Sequence, residues 1–483
     1  MTRSTALRFL TLASATALLS ACAVGPKAPD ALIPLSASGA FTASDLPLAS
    51  GVVTAEPARD DWWRLYADPT LDGLVAQAFA NNNQLESAAA NLRAVRASLS
   101  EARASRLPTT GTSGGYSYGR SSSAAFAGLG QPTSTEPLDE VETYDVGLDV
   151  SYEIDLFGRV GSSIRAARAD ADAAAAALDV VRVTVAAETA RAYADACSAN
   201  AQIAVAQTNM DLQTRTVDLT QRLLEGGAGT GLDTARARSA LASTRASLPT
   251  LRAARDEALF RLATLTGATT SQASEAARQC QRPPQLAQPV PIGDGAALLA
   301  RRPDVRQAER NLAAAAARVN VATASLYPTI SLGGSLGSTA LSAGGLGDET
   351  ALRFSVGPLI SWSFPNIAAA RALIARTGAL SDAALADFDQ AVLVALQETE
   401  TALTQYANEL DRRTALTEAR DQAATAARLS RLRFDAGADS FLTVLDAERT
   451  LASADAQLAS SDALVTTYQI ALFKALAGGW DQG

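Results

Sequence analysis

Few residue constellations in this sequence could do chemistry. The stretch LTVLDAER sets Leu442, Asp446 and Arg449 at i, i+4 and i+7, so one helix face carries an apolar group, a carboxylate and a guanidinium. Such a set can form an ion pair, which at a solvated surface is worth little, and it cannot make or break a covalent bond. Histidine is absent from all 483 residues, which removes His-based triads, His general bases and the usual zinc sites together. Without a metal cluster or a nucleophile motif an enzyme reading has almost no support, and no cofactor is implied. The Gly-rich run Glu225 to Gly231 is not a phosphate loop, because no strand precedes it and it lacks Gly-Lys-Ser/Thr.

Three cysteines make no disulfide framework. Cys197, in a helical run, and Cys280, in the polar stretch QCQRPP, are either tolerated thiols or a bridged pair, and spacing does not choose between them. Cys22 has another explanation. Arg3 and Arg8 form a basic start, Phe9 to Leu19 is an apolar run too short to span a bilayer, and Leu19-Ser20-Ala21-Cys22 resembles a bacterial lipobox. Cleavage would leave Cys22 as a lipidated N-terminus, and Ala23 in place of Asp is an outer-membrane address. The net charge of -9 becomes -11 without residues 1–21, so no basic face is expected and a nucleic-acid partner is excluded.

The elements that must position these residues come in two periods. Aromatics are only 5 % and the bulk is Ala, Leu, Arg, Glu and Gln, a composition of long helices with thin seams. Helical spacing is expected from about Thr70 to Arg106, from Leu156 to Leu224, about 100 Å long, and from Leu232 to Thr266 with a kink at Pro249. In the second of these, Ile203, Met210, Val217 and Leu224 form one seven-residue series and Val205, Leu212 and Leu219 another, on nearly opposite sides. Two seams suit a helix with two neighbours in a ring, or one in the middle of a bundle.

Between the helices the period is two. Tyr116 and Tyr118 alternate with Ser and Gly. Tyr144, Val146, Leu148, Val150, Tyr152 and Ile154 alternate with Asp145, Gly147, Asp149, Ser151, Glu153 and Asp155, giving an apolar face and an acidic face. Ile330 and Leu332, then Leu352 to Phe364 with Arg353 among the alternating partners, repeat the rule. These are either half-buried hairpins or membrane strands, and a tilted strand of that length spans roughly 25 Å. Four strands cannot close a barrel and open edges cannot sit in lipid, so a membrane role requires oligomers.

The chain is also duplicated. Leu219 to Gly267 meets Leu429 to Ala477 at an offset of 210 without a gap, and Asn91-Leu92 and Pro108 meet Asn311-Leu312 and Pro328 at 220. The partition that follows is a signal peptide at 1–21, a lipidated arm at 22–60, the helix of the first repeat at 61–108 and a strand pair at 109–155. A long helical hairpin at 156–268 and a linker at 269–293 complete the first half. The second has a helix at 294–327, a strand pair at 328–365, a long hairpin at 366–479 and a tail at 480–483.

The run Arg302-Pro303-Asp304-Val305 with Ala308-Glu309, Tyr327-Pro328, Leu442 to Arg449, Ala475 to Trp480, Cys22 to Pro26 and Trp62-Trp63 closely resembles the outer-membrane efflux lipoproteins of the TolC superfamily. The resemblance implies a mixed fold: helical hairpins forming a periplasmic α-barrel, and four transmembrane strands per chain closing a twelve-stranded β-barrel in a homotrimer. It implies a passive exit duct in the outer-membrane lipid that works with a periplasmic adaptor and an inner-membrane efflux pump. By the same resemblance Leu442 is an apolar plug, Asp446 an acidic ring and Arg449 an ion-pairing lock of a periplasmic gate. Three like charges near one axis would be costly unless paired.

Arg236 stands where the second copy has Asp446, so only one hairpin per chain would carry the ring. The tips, with Gly226, Gly227 and Gly229 in one and Gly437, Asp439 and Ser440 in the other, are the expected adaptor contacts. Asp145, Asp149, Glu153, Asp155 and Arg353 are expected in the barrel lumen, as an acidic bore that favours cations. The competing reading is a non-conducting coiled-coil lipoprotein that bridges envelope layers.

Overall fold

The computed structural model describes residues 24–42, 52–120, 139–286, 288–362 and 367–476. The signal peptide, Cys22, most of the Ser121–Glu142 loop, Phe364 and the tail from Ala477 to Trp480 lie outside the described residues. In chain order the elements are β1 (Val53–Thr54), α1 (Pro69–Asn81), α2 (Asn83–Ala104), β2 (Thr109–Gly119), β3 (Val141–Ile154), α3 (Arg159–Glu225) and α4 (Gly231–Leu265). They continue with α5 (Glu275–Arg278), β4 (Val290–Pro291), α6 (Gly295–Arg301), α7 (Pro303–Ala324), β5 (Thr329–Ala340), β6 (Leu352–Ser361), α8 (Ile367–Asp435) and α9 (Phe441–Leu476). The described residues within 24–30, 93–172 and 310–386 form one compact unit, and those within 31–92, 173–309 and 387–476 form another.

The first unit contains an antiparallel sheet in the order β2-β3-β5-β6. Its register sets Gly115 opposite Asp145, Asp145 opposite Thr339, and Gly337 opposite Arg353. Directly opposed residues share a face, so Asp145, Asp149, Ser151, Glu153, Ser331, Ser335, Thr339, Arg353 and Ser355 line one side, with Val141 and Leu359 its apolar exceptions. Tyr116, Val146, Leu148, Leu332, Leu336, Phe354, Val356 and Ile360 line the other and are exposed, Phe354 by 79 % and Val356 by 77 %. The alternation in the sequence therefore becomes a sheet with a polar and an apolar face. β2 and β6 are its outer strands. Asp155 departs from the expectation: it lies beyond β3 and accepts from the N–H groups of Val160 (2.9 Å) and Gly161 (2.6 Å), at the start of α3. Free N–H groups at a helix start draw in a carboxylate.

The second unit is helical. Its core gathers Leu71, Leu259, Leu262, Leu298, Leu472 and Leu476 around Trp62, which is 1 % exposed and stacks on Phe473 at 5.0 Å. The helix expected from Thr70 to Arg106 is broken. Asn82 adopts an extended backbone, its N–H still donates to Ala78, and its side chain accepts from the N–H groups of Gln84 (2.9 Å) and Leu85 (3.2 Å), ending α1 and starting α2 at one residue. The second half breaks at Arg302, for a different reason: Pro303 excludes the helical region for the residue before it and opens α7.

α3 and α8 run for 67 and 69 residues, as the long periodic stretches require. α4 stays helical through Pro249. One expectation for α3 changes. Between its two apolar series lies a stripe buried within the chain, and toward the tip that stripe is polar: Asn209, Gln213, Thr216 and Thr220 are all at most 6 % exposed. Cys197 and Cys280 are bonded, with Cα atoms 5.0 Å apart, which resolves the alternatives left open by their spacing. Among the described residues no helix is long and apolar enough to cross a membrane.

Candidate functional site

Two turns join the long helices at residues 226–230 and 436–440, and they share one backbone design. In the first, the Ala228 N–H donates to the Leu223 carbonyl (2.8 Å) and the Gly227 N–H to that of Leu224 (3.1 Å); in the second, Ala438 donates to Arg433 and Gly437 to Phe434, both at 2.8 Å. This paired closure of a helix C-terminus requires a left-handed residue, and Gly227 (φ 74°) and Gly437 (φ 72°) supply it without a Cβ clash. Both glycines were legible from the sequence for this reason.

The side chains around the turns differ. Thr230 caps α4, its hydroxyl oxygen accepting from the Asp233 N–H at 3.2 Å, and the first turn itself carries Gly226, Gly227 and Gly229. In the second turn Arg433 grips Asp439 with two hydrogen bonds, of 2.7 and 3.1 Å, which hold the Asp439 carboxyl below its usual range. Phe434 meets Phe441 edge to face at 5.9 Å, and Ser440 lies beside Thr443. One tip is small and uncharged in its turn, and the other is braced.

Leu442, Asp446 and Arg449 follow on the first turns of α9. Arg449 donates to Asp446 at 2.8 Å, and the two side chains are 75 % and 64 % exposed, so the pair closes within one helix. Leu442 is 50 % exposed on the same stretch. All three present themselves outward from the chain.

A residue that sequence reasoning missed stands between them. Glu448 is 4 % exposed, accepts from the Thr216 hydroxyl of α3 at 2.8 Å and pairs with Arg431 of α8 at 3.4 Å. Burial raises its pKa, while the Thr216 hydrogen bond and Arg431 oppose the rise. Glu448 ties the second hairpin to the first. Its signal was available: Phe441, Val444 and Glu448 recur at i, i+3 and i+7, which puts a carboxylate on the buried stripe of α9.

The sheet brings Asp145 and Arg353 together at 2.6 Å, with Thr339 bridging them at 2.7 and 3.0 Å. The guanidinium crosses β5 over Gly337, where a Cβ would lie 3.3 Å from it. Glu153 is ion-paired to Arg159. With Asp155 at the helix start, the acidic face expected from the sequence is therefore largely neutralised. Among the described residues Asp149 makes no ion pair. Gly226, Gly229 and Ser440 lie in the turns between the long helices, and Cys22 is outside the described residues.

The chain matches the outer membrane efflux protein family over residues 74–268 and 296–478. It is similar to the pyoverdine export outer membrane protein OpmQ of Pseudomonas aeruginosa, with 31 % identity over 98 % of this chain and 97 % of that protein. Its structure is similar to that of the outer-membrane channel OprN, with a TM-score of 0.88 and 35 % identity over 95 % of this chain and all of that one. The open state of the Neisseria gonorrhoeae MtrE outer membrane channel aligns with a TM-score of 0.74 and 25 % identity, over 95 % of this chain and 99 % of that one. The chain belongs to the outer membrane efflux protein family and is an outer-membrane channel of efflux systems.

Proposed function

We propose that three copies of this chain close one duct, which carries small molecules passively outward from an inner-membrane pump and its periplasmic adaptor. The observation that carries this reading is the four-stranded sheet. It has one polar face, one exposed apolar face and two outer strands, β2 and β6, and such a sheet is stable in lipid only when its edges are paired. Three such sheets, joined β6 to β2, make a twelve-stranded barrel with the Asp145–Arg353 face inside. A non-conducting coiled-coil lipoprotein would have no use for this sheet. Lipidation of Cys22 anchors the arm at 22–60, and the segments proposed from the sequence keep their roles in this assembly.

The gate lies at the start of α9. In the closed duct Leu442 narrows the bore, Asp446 forms the acidic ring, and Arg449, already bonded to Asp446, offsets the repulsion among three carboxylates. The tips, with Gly226, Gly227 and Gly229 in one and Gly437, Asp439 and Ser440 in the other, meet the adaptor. The lumen is of mixed charge rather than acidic, because Arg353 and Arg159 face two of its carboxylates. The gate is tested by Asp446→Ala in planar bilayers: single-channel conductance is expected to rise. Conductance equal to that of the unaltered protein would remove Asp446 from the gate.

A further inference from the structure

The disulfide has a seat built for it. Cys197 lies within α3 and is fully buried, whereas Cys280 lies half-buried in the linker that follows α4 and α5. Asn200, one turn along α3 from Cys197, donates through its side-chain amide to the carbonyls of Arg278 (2.9 Å) and Cys280 (2.8 Å). The linker backbone is thus aligned at the place where the two sulfurs meet. Just before it, Ala277 of α5 is wholly buried in the helical core, and just after it the Pro284 carbonyl accepts from the Thr466 hydroxyl of α9 at 3.4 Å. The linker is a strap that runs from α3 to α9, pinned at one end by a covalent bond.

The bond closes a span of 83 residues, which holds the rest of α3, the first tip and all of α4. The base of the first hairpin is covalently tied. At the offset of 210 the counterpart of Cys197 is Ala407, itself 3 % exposed, and an alanine has no sulfur to bond, so the matching place in the second hairpin forms no such tie.

We propose that Cys197 and Cys280 are a modification site, a dithiol oxidised during maturation in the envelope, whose disulfide locks the linker strap across the base of the first hairpin. The step is a thiol–disulfide exchange. A disulfide-bearing thiol oxidoreductase forms a mixed disulfide with one cysteine, and the second cysteine displaces it. Two thiols lose two protons and two electrons as the S–S bond forms, and the oxidant leaves as a dithiol. Outside the cytoplasm such bonds persist, in agreement with an outer-membrane protein. Cys197 has no exposed surface once the chain is folded, so oxidation belongs to the stage at which the linker is still landing on α3. A dithiol-oxidising reaction therefore precedes completion of the channel. This inference does not rest on the gate or on the trimer.

The full-length protein, extracted from outer membranes in detergent with an alkylating agent and no reductant, is digested with trypsin. Arg282 precedes Pro283 and resists cleavage, so the bond must join peptides 192–215 and 279–301 into one mass that reduction splits. Alkylation of both thiols with no joined peptide would overturn the assignment. The locking role is read with Cys280→Ala, which breaks the bond and leaves the buried Cys197 in place. The variant is expected to be cut at Arg278 severalfold faster in the folded protein and to unfold several degrees lower. Pre-reduced unaltered protein should behave like it, and reductant should not change the variant further. Equal cutting and equal unfolding of variant and oxidised protein would leave the bond without a locking role and overturn the proposal.

Discussion

Asn82 and Arg302 occupy the same place in the two halves of the chain, 220 residues apart, and both are buried at a break between two helices. Asn82 donates to the carbonyl of Leu265 (2.9 Å), at the end of α4, and Arg302 donates to that of Ala475 (3.1 Å), at the end of α9. Leu265 and Ala475 are themselves counterparts at the offset of 210. Each half thus closes its hairpin by satisfying the same orphan carbonyl of the returning helix. The chemistry has diverged. A neutral amide serves the first hairpin, whose base a disulfide also ties. A guanidinium serves the second, and it reaches further, to Asp304 (2.6 Å) and to Glu398 of α8 (2.7 Å).

The same divergence recurs along the hairpins. Arg238 bonds Gln221 at 2.9 Å on an exposed surface of the first, where the second has Glu448 and Arg431 in a buried site. Gly229 in the first tip stands where Asp439 meets Arg433 in the second. Duplication has kept the backbone and the places of polar contact, and at these three matched places the ion pairs stand in the second copy. A covalent tie fixes a hairpin; ion pairs hold it in a way that a change of partner can release. With the gate placed as proposed, the covalently tied first hairpin would serve as wall and the second would be the part that moves.

The largest expected effect falls on the charged base. Arg302→Met leaves Glu398 and the Ala475 carbonyl without their donor. Breaking a buried ion pair commonly costs more than 3 kcal/mol, but Glu398 is 53 % exposed and water recovers part of the loss, so about 2–3 kcal/mol is expected. Asn82→Ala removes one amide–carbonyl bond and a helix cap, for about 1–2 kcal/mol. Chemical denaturation of the two variants beside the unaltered protein measures both. Equal losses would mean that charge adds nothing at this site, and the contrast between the hairpins would fail at its base.

Much of this architecture was legible in the sequence because it depends on local rules. The alternation from Tyr144 to Ile154 dictates two faces, and the register merely keeps them. Gly227 and Gly437 mark the tips because a left-handed residue is needed there. What stayed hidden depends on neighbours far along the chain. The pairing of Asp145 with Arg353 spans 208 residues, and only the register of β3, β5 and β6 reveals that the acidic face is neutralised. Cys197 and Cys280 needed the landing of the linker on α3. The break at Asn82 could have been read, since Asn-Asn-Asn inside a helical pattern offers a side chain that competes for the backbone N–H groups. Glu448 lies on a different face of α9 from Leu442, Asp446 and Arg449, and its partners Thr216 and Arg431 stand on other helices, which only the packing brings together.

Glu448 gives the smallest effect and the sharpest test of the contrast. Burial raises its pKa above the ordinary 4.5, so the folded chain holds the proton more tightly than the unfolded chain does. The favourable contribution of the protonated group is complete below the ordinary value and is lost as pH rises through the raised one; above that window the folded protein carries a buried carboxylate at a cost. The charged group that faces it is Arg431 of α8, with Asp435 behind at 3.8 Å from Arg431, and the neutral hydroxyl of Thr216 of α3 donates to it. Glu448→Gln keeps an acceptor for Thr216 and removes the titration. Unfolding followed from neutral pH down to about 4 should show the variant at its most favourable relative to the unaltered protein at neutral pH, with the difference shrinking as the window is crossed. Arg238→Gln, at the exposed counterpart in the first hairpin, should show no such pH-dependent difference. Parallel curves for Glu448→Gln and the unaltered protein, or an equal pH dependence in Arg238→Gln, would show that the link between the hairpins does not respond to protons and that the second copy is no more adjustable than the first.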